Sequence, residues 1–152
     1  MEIQIKQTID YPYDLLLLAD PSREFVDKYL KTSDCFVAVF EQQPVGVAVV
    51  QKQSEDMAEL MNLAVDESFQ RRGIARRLLR YISDEWAVAN HLSCLKVCTG
   101  TSAPGPLMLY QQEGFDLKVL DRDYFVRNYP EPIWENGVQC RHRLILEKEL
   151  GI

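Results

Sequence analysis

One junction in the middle of the chain constrains the fold more than any other feature. A β-rich run, Met57–Val65, is followed after a short turn by a helical pattern that opens at Gly73 and extends to Asn90. The helix is predicted because apolar residues recur every four positions, at Ile74, Leu78, Ile82 and Trp86. A further β-rich run, Leu95–Thr99, comes next. Strand, helix and strand in this order favour a parallel strand pair with the helix packed on the sheet.

The chain before this junction has the pattern of an antiparallel meander. Strands are predicted at Ile3–Gln7, Cys35–Glu41 and Val45–Gln51, and a hairpin at 42–44 joins the last two. A helix is predicted to run from Asp20-Pro21 to about Lys31, with Asp20 as its N-cap.

Three more elements are predicted after the junction: a short helix, Pro106–Glu113, and strands Phe115–Leu120 and Val138–Glu147. The complete order predicts a mixed-sheet α/β domain. At 152 residues the chain fits a single domain with bounds 1–152.

The charge balance argues against a nucleic-acid partner. Acidic residues outnumber basic ones by 23 to 17, for a net charge of −6, whereas nucleic-acid binding needs a basic face. The longest aliphatic run, Leu15–Ala19, is too short to span a bilayer, and the N-terminus has no apolar region typical of a signal peptide. The expectation is a cytoplasmic protein with no membrane partner.

The four cysteines and two histidines are expected to have no metal or redox role. The cysteines form no CxxC pair, and the histidines have no ligand spacing relative to them. Free thiols, mostly within strands of a cytoplasmic protein, are therefore expected, and no metal.

A basic cluster at the start of the long helix predicts a small anionic ligand. Five arginines fall within ten residues, at Arg71, Arg72, Arg76, Arg77 and Arg80. The first N–H groups of a helix have no internal partner and attract an anion, and a glycine there lets a phosphate approach the backbone. The i, i+4, i+8 spacing of Arg72, Arg76 and Arg80 places like charges together, which an anion would relieve. The alternative is a turn glycine beside a solvated basic helix face.

Two sequence blocks resemble the GCN5-related N-acetyltransferase (GNAT) superfamily. The first is Gln70-x-x-Gly73-x-Ala75, which matches the family's pyrophosphate loop, and the second is Leu109-Tyr110-x-x-x-Gly114-Phe115. The blocks lie in the family's order, and the element order agrees over nearly the whole chain. Within the family, the C-terminal region resembles a small bacterial branch often labelled IAA acetyltransferase.

The resemblance implies both a fold and a cofactor. The implied fold is a mostly antiparallel twisted sheet with helices on both faces and a splayed parallel strand pair. The implied cofactor is acetyl-coenzyme A, which donates its acetyl group to a primary amine of a small molecule or peptide by direct attack in a ternary complex. The residues implied in cofactor binding are Leu63, Ala64, Val65, Gln70, Arg71, Arg72, Gly73, Ile74, Ala75 and Arg76.

Two residues are candidates for catalysis. Tyr110 matches the family tyrosine that protonates the leaving thiolate, although an aromatic packing role is the alternative. Glu59 lies eleven residues before Gln70, the spacing of the catalytic glutamate in the histone-acetylating branch. Strand alternation would place Glu59 on one face with Met57, Met61 and Leu63, among apolar neighbours, where a carboxylate suits a general base. A solvent-exposed rim carboxylate is the alternative.

Two positions depart from the family pattern. An asparagine that bonds the pantetheine arm in many relatives is replaced by Ala103, with Thr101 or Ser102 as substitutes or the contact absent. The glutamate used as base by relatives that acetylate ribosomal proteins falls on Cys98.

The long segment before the last strand, Asp121–Pro130 together with Trp134-Glu135, is predicted to shape the acceptor site. Its length and composition are typical of functional loops, although a packed lid or a dimer contact is equally compatible. The aromatic candidates for acceptor binding are Tyr124, Phe125, Tyr129 and Trp134. The acceptor itself and the oligomeric state stay open, a homodimer being common in the family, and the main alternative function is a non-catalytic acetyl-coenzyme A sensor.

Overall fold

A computed structural model describes residues 2–151. The predicted bounds 1–152 include Met1 and Ile152, which lie outside the described residues. Seven strands form the main sheet, in the order β1-β2-β3-β4-β5-β9-β6. They are β1 (Gln4–Gln7), β2 (Asp34–Phe40), β3 (Gln43–Lys52), β4 (Met57–Val65), β5 (Cys94–Gly100), β6 (Asp116–Asp121) and β9 (Arg143–Glu149). A separate two-stranded ribbon pairs β7 (Trp134–Glu135) with β8 (Val138–Gln139).

Within residues 2–151, six α-helical segments accompany the strands. They are α1 (Tyr13–Ala19), α2 (Arg23–Leu30), α3 (Ile74–Tyr81), α4 (Ala87–Ala89), α5 (Pro104–Gln112) and α6 (Tyr124–Asn128). A π-helical turn, Ile82–Trp86, joins α3 to α4, so the long helix predicted over 73–90 is present with a local widening. Among the described residues no helix combines the length and apolar character that a membrane span requires.

Alternation along the central strands produces two cores, one on each face of the sheet. Phe36, Ala38, Ala48 and Val50 pack on one face with Ile74 and Leu78 of α3. The intervening residues Val37, Val47 and Val49 pack on the other face, together with Leu16 of α1 and Val26 of α2. Helices therefore cover both faces.

The sheet is mixed but mostly antiparallel. Within the described sheet, β4 and β5 pair parallel, and every other recorded pair is antiparallel. This arrangement confirms the predicted fold class. Most predicted elements occur, with small shifts at their ends.

Four details of the prediction were wrong. Helix α1 is additional, and α2 begins after Ser22, whose Oγ accepts from Phe25 N at 3.2 Å, so Asp20 is not its N-cap. The β2–β3 turn lies at Glu41-Gln42, both with positive φ, as a tight hairpin requires. The strand predicted over 138–147 is divided into β8 and β9 by residues 140–142.

Candidate functional site

The site begins at a gap between the two parallel strands. β4 and β5 pair only from Met57–Leu60 against Cys94–Val97. Beyond this point β4 stays paired with β3 as far as Val65, and β5 stays paired with β9 as far as Gly100. The two strands therefore separate towards their carboxyl ends and leave one backbone edge of each facing the gap.

The polar backbone groups that face the gap follow from strand alternation. Asp66 N–H donates to Val45 O of β3 at 2.8 Å. Because successive residues of a strand turn to opposite neighbours, the N–H groups of Val65 and Leu63 point away from β3 and into the gap. The side chain of Gln70 donates to Val65 O at 3.1 Å, which ties the following loop to this strand end. Leu63 thus presents a donor and an acceptor, and Val65 a donor, to a molecule in the gap.

The loop after β4 ends at an open helix start. Gly73 is the N-cap of α3 with φ of 78°, and Arg71 also has a positive φ, of 64°. The first helical hydrogen bond runs from Arg77 N–H to Gly73 O at 3.0 Å, so the N–H groups of Ile74, Ala75 and Arg76 precede it without intrahelical partners. A Cβ built on Gly73 would meet no atom within 4 Å. This helix start can accept an anion against its backbone.

The arginine stripe has a partner within the protein. Arg76 and Arg80 both bind the carboxylate of Glu113, whose side chain is only 7% exposed. Arg77 donates to Ile3 O at 3.0 Å, and the Arg72 guanidinium lies 5.3 Å from the Phe69 ring centroid. Glu113 therefore relieves the repulsion between Arg76 and Arg80 within the protein, so the spacing of these two arginines does not by itself indicate a bound anion. Their ion pairs instead hold α3 against the end of α5.

Tyr110 lies on α5 and borders the same cavity as the strand gap. Its ring is buried, with the Phe115 ring centroid 5.9 Å away. Burial raises the pKa of Tyr110, and the neighbouring Cys98 adds to the effect. The phenol therefore keeps its proton at neutral pH, as a group that donates a proton must.

Glu59 lies on β4 with polar neighbours rather than apolar ones. Its carboxylate is 3.6 Å from Lys96 Nζ and 3.6 Å from Cys98 Sγ. A β-bulge at Met61 interrupts the alternation, since Leu60 opposes Val50 and Asn62 opposes Val49. Leu63 consequently packs on the α3 side, whereas Met61 packs on the opposite side. The predicted common face of Glu59 with Met57, Met61 and Leu63 is therefore wrong for Leu63.

One cavity of about 590 Å³ connects the strand gap, Tyr110 and Glu59. The β4 segment from Glu59 to Val65, Gln70 and Tyr110 line it, together with Tyr124, Phe125 and Tyr129. The loop predicted to shape an acceptor site therefore reaches the cavity through α6 and the residue that follows it. Trp134 does not line the cavity and is 66% exposed, so the structure separates it from the other aromatic candidates.

The cavity also includes polar residues that the sequence did not point to. They are Asp20, Asn62 and Arg143. Asp20 follows α1, and the sequence pointed to it only as a helix cap. Glu135, which belongs to the segment predicted to shape the acceptor site, lines the cavity as well. Asn62 and Arg143 lie within strands, where the sequence has no signal that would single them out.

The loop after β5 has its own hydrogen bonds. Ser102 is buried and donates from Oγ to Glu135 Oε1 at 3.0 Å, and Ala103 lines the cavity. Gly100 is required by packing, since a Cβ there would overlap Cys140 Sγ and lie 3.4 Å from Phe125 Cε2. Ser102, offered as a substitute for the family asparagine, thus already has a partner.

The thiols of Cys35, Cys94, Cys98 and Cys140 are all free. Burial raises the pKa of Cys98 to about 12, and the Glu59 carboxylate adds to the effect, which makes this thiol a poor nucleophile. No metal-binding group of His, Cys, Asp and Glu occurs among residues 2–151.

Comparison with known proteins gives the same family as the motifs. The model of the acetyltransferase (GNAT) domain matches residues 31–117. The uncharacterized N-acetyltransferase YvbK of Bacillus subtilis is 40% identical over 147 residues, covering 95% of this chain and 93% of that protein.

Solved structures agree with this match. A GNAT family acetyltransferase from Elizabethkingia anophelis with acetyl-CoA bound is 38% identical, with a TM-score of 0.93 over 97% of this chain and 98% of that one. An IAA acetyltransferase from Bacillus cereus is also 38% identical, with a TM-score of 0.93 over 98% of this chain and 100% of that one. The sequence motifs, the fold with its parted parallel strands and these relatives together show that the chain belongs to the GNAT family of N-acetyltransferases.

Proposed function

We propose that this protein transfers the acetyl group of acetyl-CoA to a primary amine of a small molecule or peptide, by direct attack within a ternary complex. The observation that carries the proposal is the single cavity, which joins the β4–β5 gap to Glu59 and Tyr110. A thioester lying in the gap would have its reacting carbon in the cavity that these two side chains line. The Elizabethkingia relative, which binds acetyl-CoA, supports the choice of cofactor.

The open helix start is the proposed pyrophosphate site. The N–H groups at the beginning of α3 would bind the phosphate oxygens, helped by the helix dipole. Arg71 and Arg72 would add positive charge, and Gln70 would hold the loop to Val65. Arg76 is assigned mainly to Glu113, so its part in cofactor binding is limited to its backbone N–H.

The strand gap is the proposed channel for the pantetheine arm. Leu63 and Val65 offer backbone groups to the amides of the arm, which would lie beside β4 like an added strand, with Ala64 between them. One of the two N–H groups would also donate to the thioester oxygen as negative charge develops there. The cavity-lining Ala103 has no side-chain donor for the arm, so the backbone of β4 would carry this recognition.

The proposed reaction balances without a metal or a covalent enzyme intermediate. The amine nitrogen bonds to the thioester carbon, the carbonyl electrons move to oxygen, and collapse of this intermediate breaks the C–S bond. The leaving thiolate takes a proton from Tyr110, which regains one from solvent. A primary ammonium loses two protons overall, so one proton is released for each amide and thiol formed.

Glu59 is the proposed acceptor of the ammonium proton, directly or through one water. Free alkyl amines have a pKa of about 10, so most of the acceptor is charged at neutral pH and needs a base. The ion pair with Lys96 keeps the carboxylate in place next to Cys98. The competing role is that of a carboxylate that only attracts a cationic acceptor.

An amine panel tests the proposed function. Release of free CoA from acetyl-CoA should occur with some primary amines, and should be lost when Gly73→Glu places bulk and negative charge at the helix start. Acetyl-CoA binding by calorimetry without turnover of any amine would contradict transfer and favour a sensor. Equal turnover by the wild type and by Gly73→Glu would show that the loop around Gly73 is not part of the cofactor site.

A further inference from the structure

The wall of the cavity formed by the α1–α2 connection contains an acidic group without a basic partner. The half-buried carboxylate of Asp20 accepts from Ser22 N–H at 3.1 Å and from the Tyr129 hydroxyl at 3.0 Å. Both donors are neutral, and within residues 2–151 no lysine, arginine or histidine forms an ion pair with Asp20. Its negative charge is therefore available to a molecule in the cavity.

A second hydrogen-bond acceptor on this wall has no partner. Asn62 lines the cavity and is only 4% exposed, and its Nδ2 donates to Leu16 O and to the Tyr29 hydroxyl, each at 2.9 Å. Its Oδ1 is buried and accepts no hydrogen bond from any described residue. Buried polar atoms are normally satisfied, so this oxygen is a place for a donor from a ligand.

Aromatic rings surround the same wall. Phe25 and Tyr129 meet edge to face with centroids 5.0 Å apart, and Phe125 lies 5.6 Å from Tyr129. All three line the cavity. Aromatic faces beside a carboxylate favour a cation with an aliphatic stem, because the ring attracts the charge and packs against the methylene groups.

A second carboxylate, that of Glu59, lines the same cavity as Asp20. Burial is the main cause that raises the pKa of Tyr124, and the carboxylates of Glu59 and Asp20 both add to it, so this ring lies within electrostatic reach of both acids. Arg143, the cation on the cavity wall, stacks 3.8 Å from the Tyr124 ring centroid and is paired with Asp121. A carboxylate-bearing acceptor would therefore meet two acids and one arginine, whose guanidinium already binds the Asp121 carboxylate that it shares with Arg127.

We infer that the acceptor is an aliphatic diamine or polyamine, whose reacting amine lies at Glu59 while a second ammonium group binds the wall formed by Asp20, Phe25, Tyr29, Asn62 and Tyr129. These five residues are called the Asp20 subsite. The inference rests on the proposed acetyl transfer and adds the class of acceptor to it. Asp20 would bind the second ammonium directly, and Asn62 Oδ1 would accept one of its N–H groups.

The test compares acceptors of equal length. Initial rates of CoA release are measured for putrescine, butylamine and γ-aminobutyrate, and for cadaverine against pentylamine. The subsite predicts a kcat/KM for each diamine about tenfold or more above that of its monoamine, as expected for a hydrogen bond between charged groups, and the lowest value for the amino acid.

Two variants distinguish the effect of the Asp20 subsite from the effect of the protein's overall negative charge. Asp20→Asn keeps an oxygen for Ser22 and Tyr129 but removes the charge, and should bring the diamine-to-monoamine ratio close to one, chiefly through KM. Glu24→Gln removes one charge from the exposed face of α2, outside the cavity, and should leave the ratio as in the wild type. Equal use of monoamines and diamines by the wild type, or a preference that survives in Asp20→Asn, would overturn the inference while acetyl transfer stands.

Calorimetry separates failure of the subsite from failure of the proposed function. If no amine is acetylated, cadaverine is titrated into the CoA-bound protein. If cadaverine binds and Asp20→Asn weakens this binding about tenfold, the result would uphold the subsite and contradict acetyl transfer to cadaverine. Absence of binding would overturn the subsite.

Discussion

Two glycines of the protein share a backbone conformation but differ in their proposed roles, and together they test the cofactor loop. Gly73 has φ of 78° and Gly137, in the β7–β8 turn, has φ of 75°. A Cβ on either would meet no atom within 4 Å. Alanine at each position therefore suffers the strain of the left-handed region without a collision.

The expected cost in stability is similar for the two variants. The left-handed conformation costs alanine roughly 1–2 kcal/mol. Alanine also lowers the conformational entropy of the unfolded chain relative to glycine, which stabilises the folded protein by about 0.4–1 kcal/mol. A net loss of about 1 kcal/mol corresponds to a Tm lower by about 2–4 °C for a chain of this length. Thermal unfolding without ligand measures this shift.

The expected cost in cofactor binding differs between them. At Gly73 the methyl group would stand between the backbone and a pyrophosphate, and losing one hydrogen bond to a charged oxygen costs about 1.5–3 kcal/mol. Calorimetry should show acetyl-CoA binding weakened by about 10–100-fold in Gly73→Ala and unchanged in Gly137→Ala. Equal affinities for the two variants would refute the assignment of this helix start to the cofactor.

Three further predictions concern the chemistry and the support of the site. Tyr110→Phe should lower kcat about 100-fold with little change in acetyl-CoA affinity, and a rate within a factor of two of wild type would leave Tyr110 as a packing residue. Glu59→Gln should slow the reaction most at neutral pH, and the rate should recover partly at high pH because the free amine is then available without a base. A pH–rate profile parallel to that of the wild type, with only a salt-sensitive change in KM, would exclude Glu59 as the general base. Hydrogen bonds from Arg80 and Arg76 lower the pKa of Glu113 despite its burial. The ionised carboxylate therefore stabilises the folded protein fully above the unfolded pKa of about 4.3, and this stabilisation is lost as the pH falls through the folded pKa. The Tm advantage of wild type over Glu113→Gln should therefore shrink below about pH 4, and a difference independent of pH would contradict this.

The sequence predicted the parts of the protein that local patterns encode. Apolar spacing in 74–86 and the adjoining β-rich runs were sufficient to place a helix between parallel strands. Gln70, Gly73 and Ala75 identified the loop because the backbone conformation of a helix start depends on its own few residues. The fold class and the family followed from these local features.

The remaining parts depend on contacts between distant residues. The bulge at Met61 is visible only in the register between β3 and β4, and it changes which residues share a face with Glu59. Glu113 meets Arg76 across 37 residues, and Asp20 meets Tyr129 across 109. No pattern within a single segment reports such pairs, so the partner of the arginines and the acidic cavity wall emerged only from the structure.

The measurement that tests the central claim most directly follows the acetyl group itself. Acetyl-CoA carrying an isotope label in its acetyl group is mixed with excess protein and an accepted amine, and the products are quenched at short times and analysed by mass spectrometry. Direct transfer predicts that the label passes to the amine nitrogen at the rate at which CoA appears, with the protein unlabelled at every time, including at the poorly nucleophilic Cys98. A labelled protein that forms before the labelled amine and decays as the amine appears would contradict direct attack in a ternary complex.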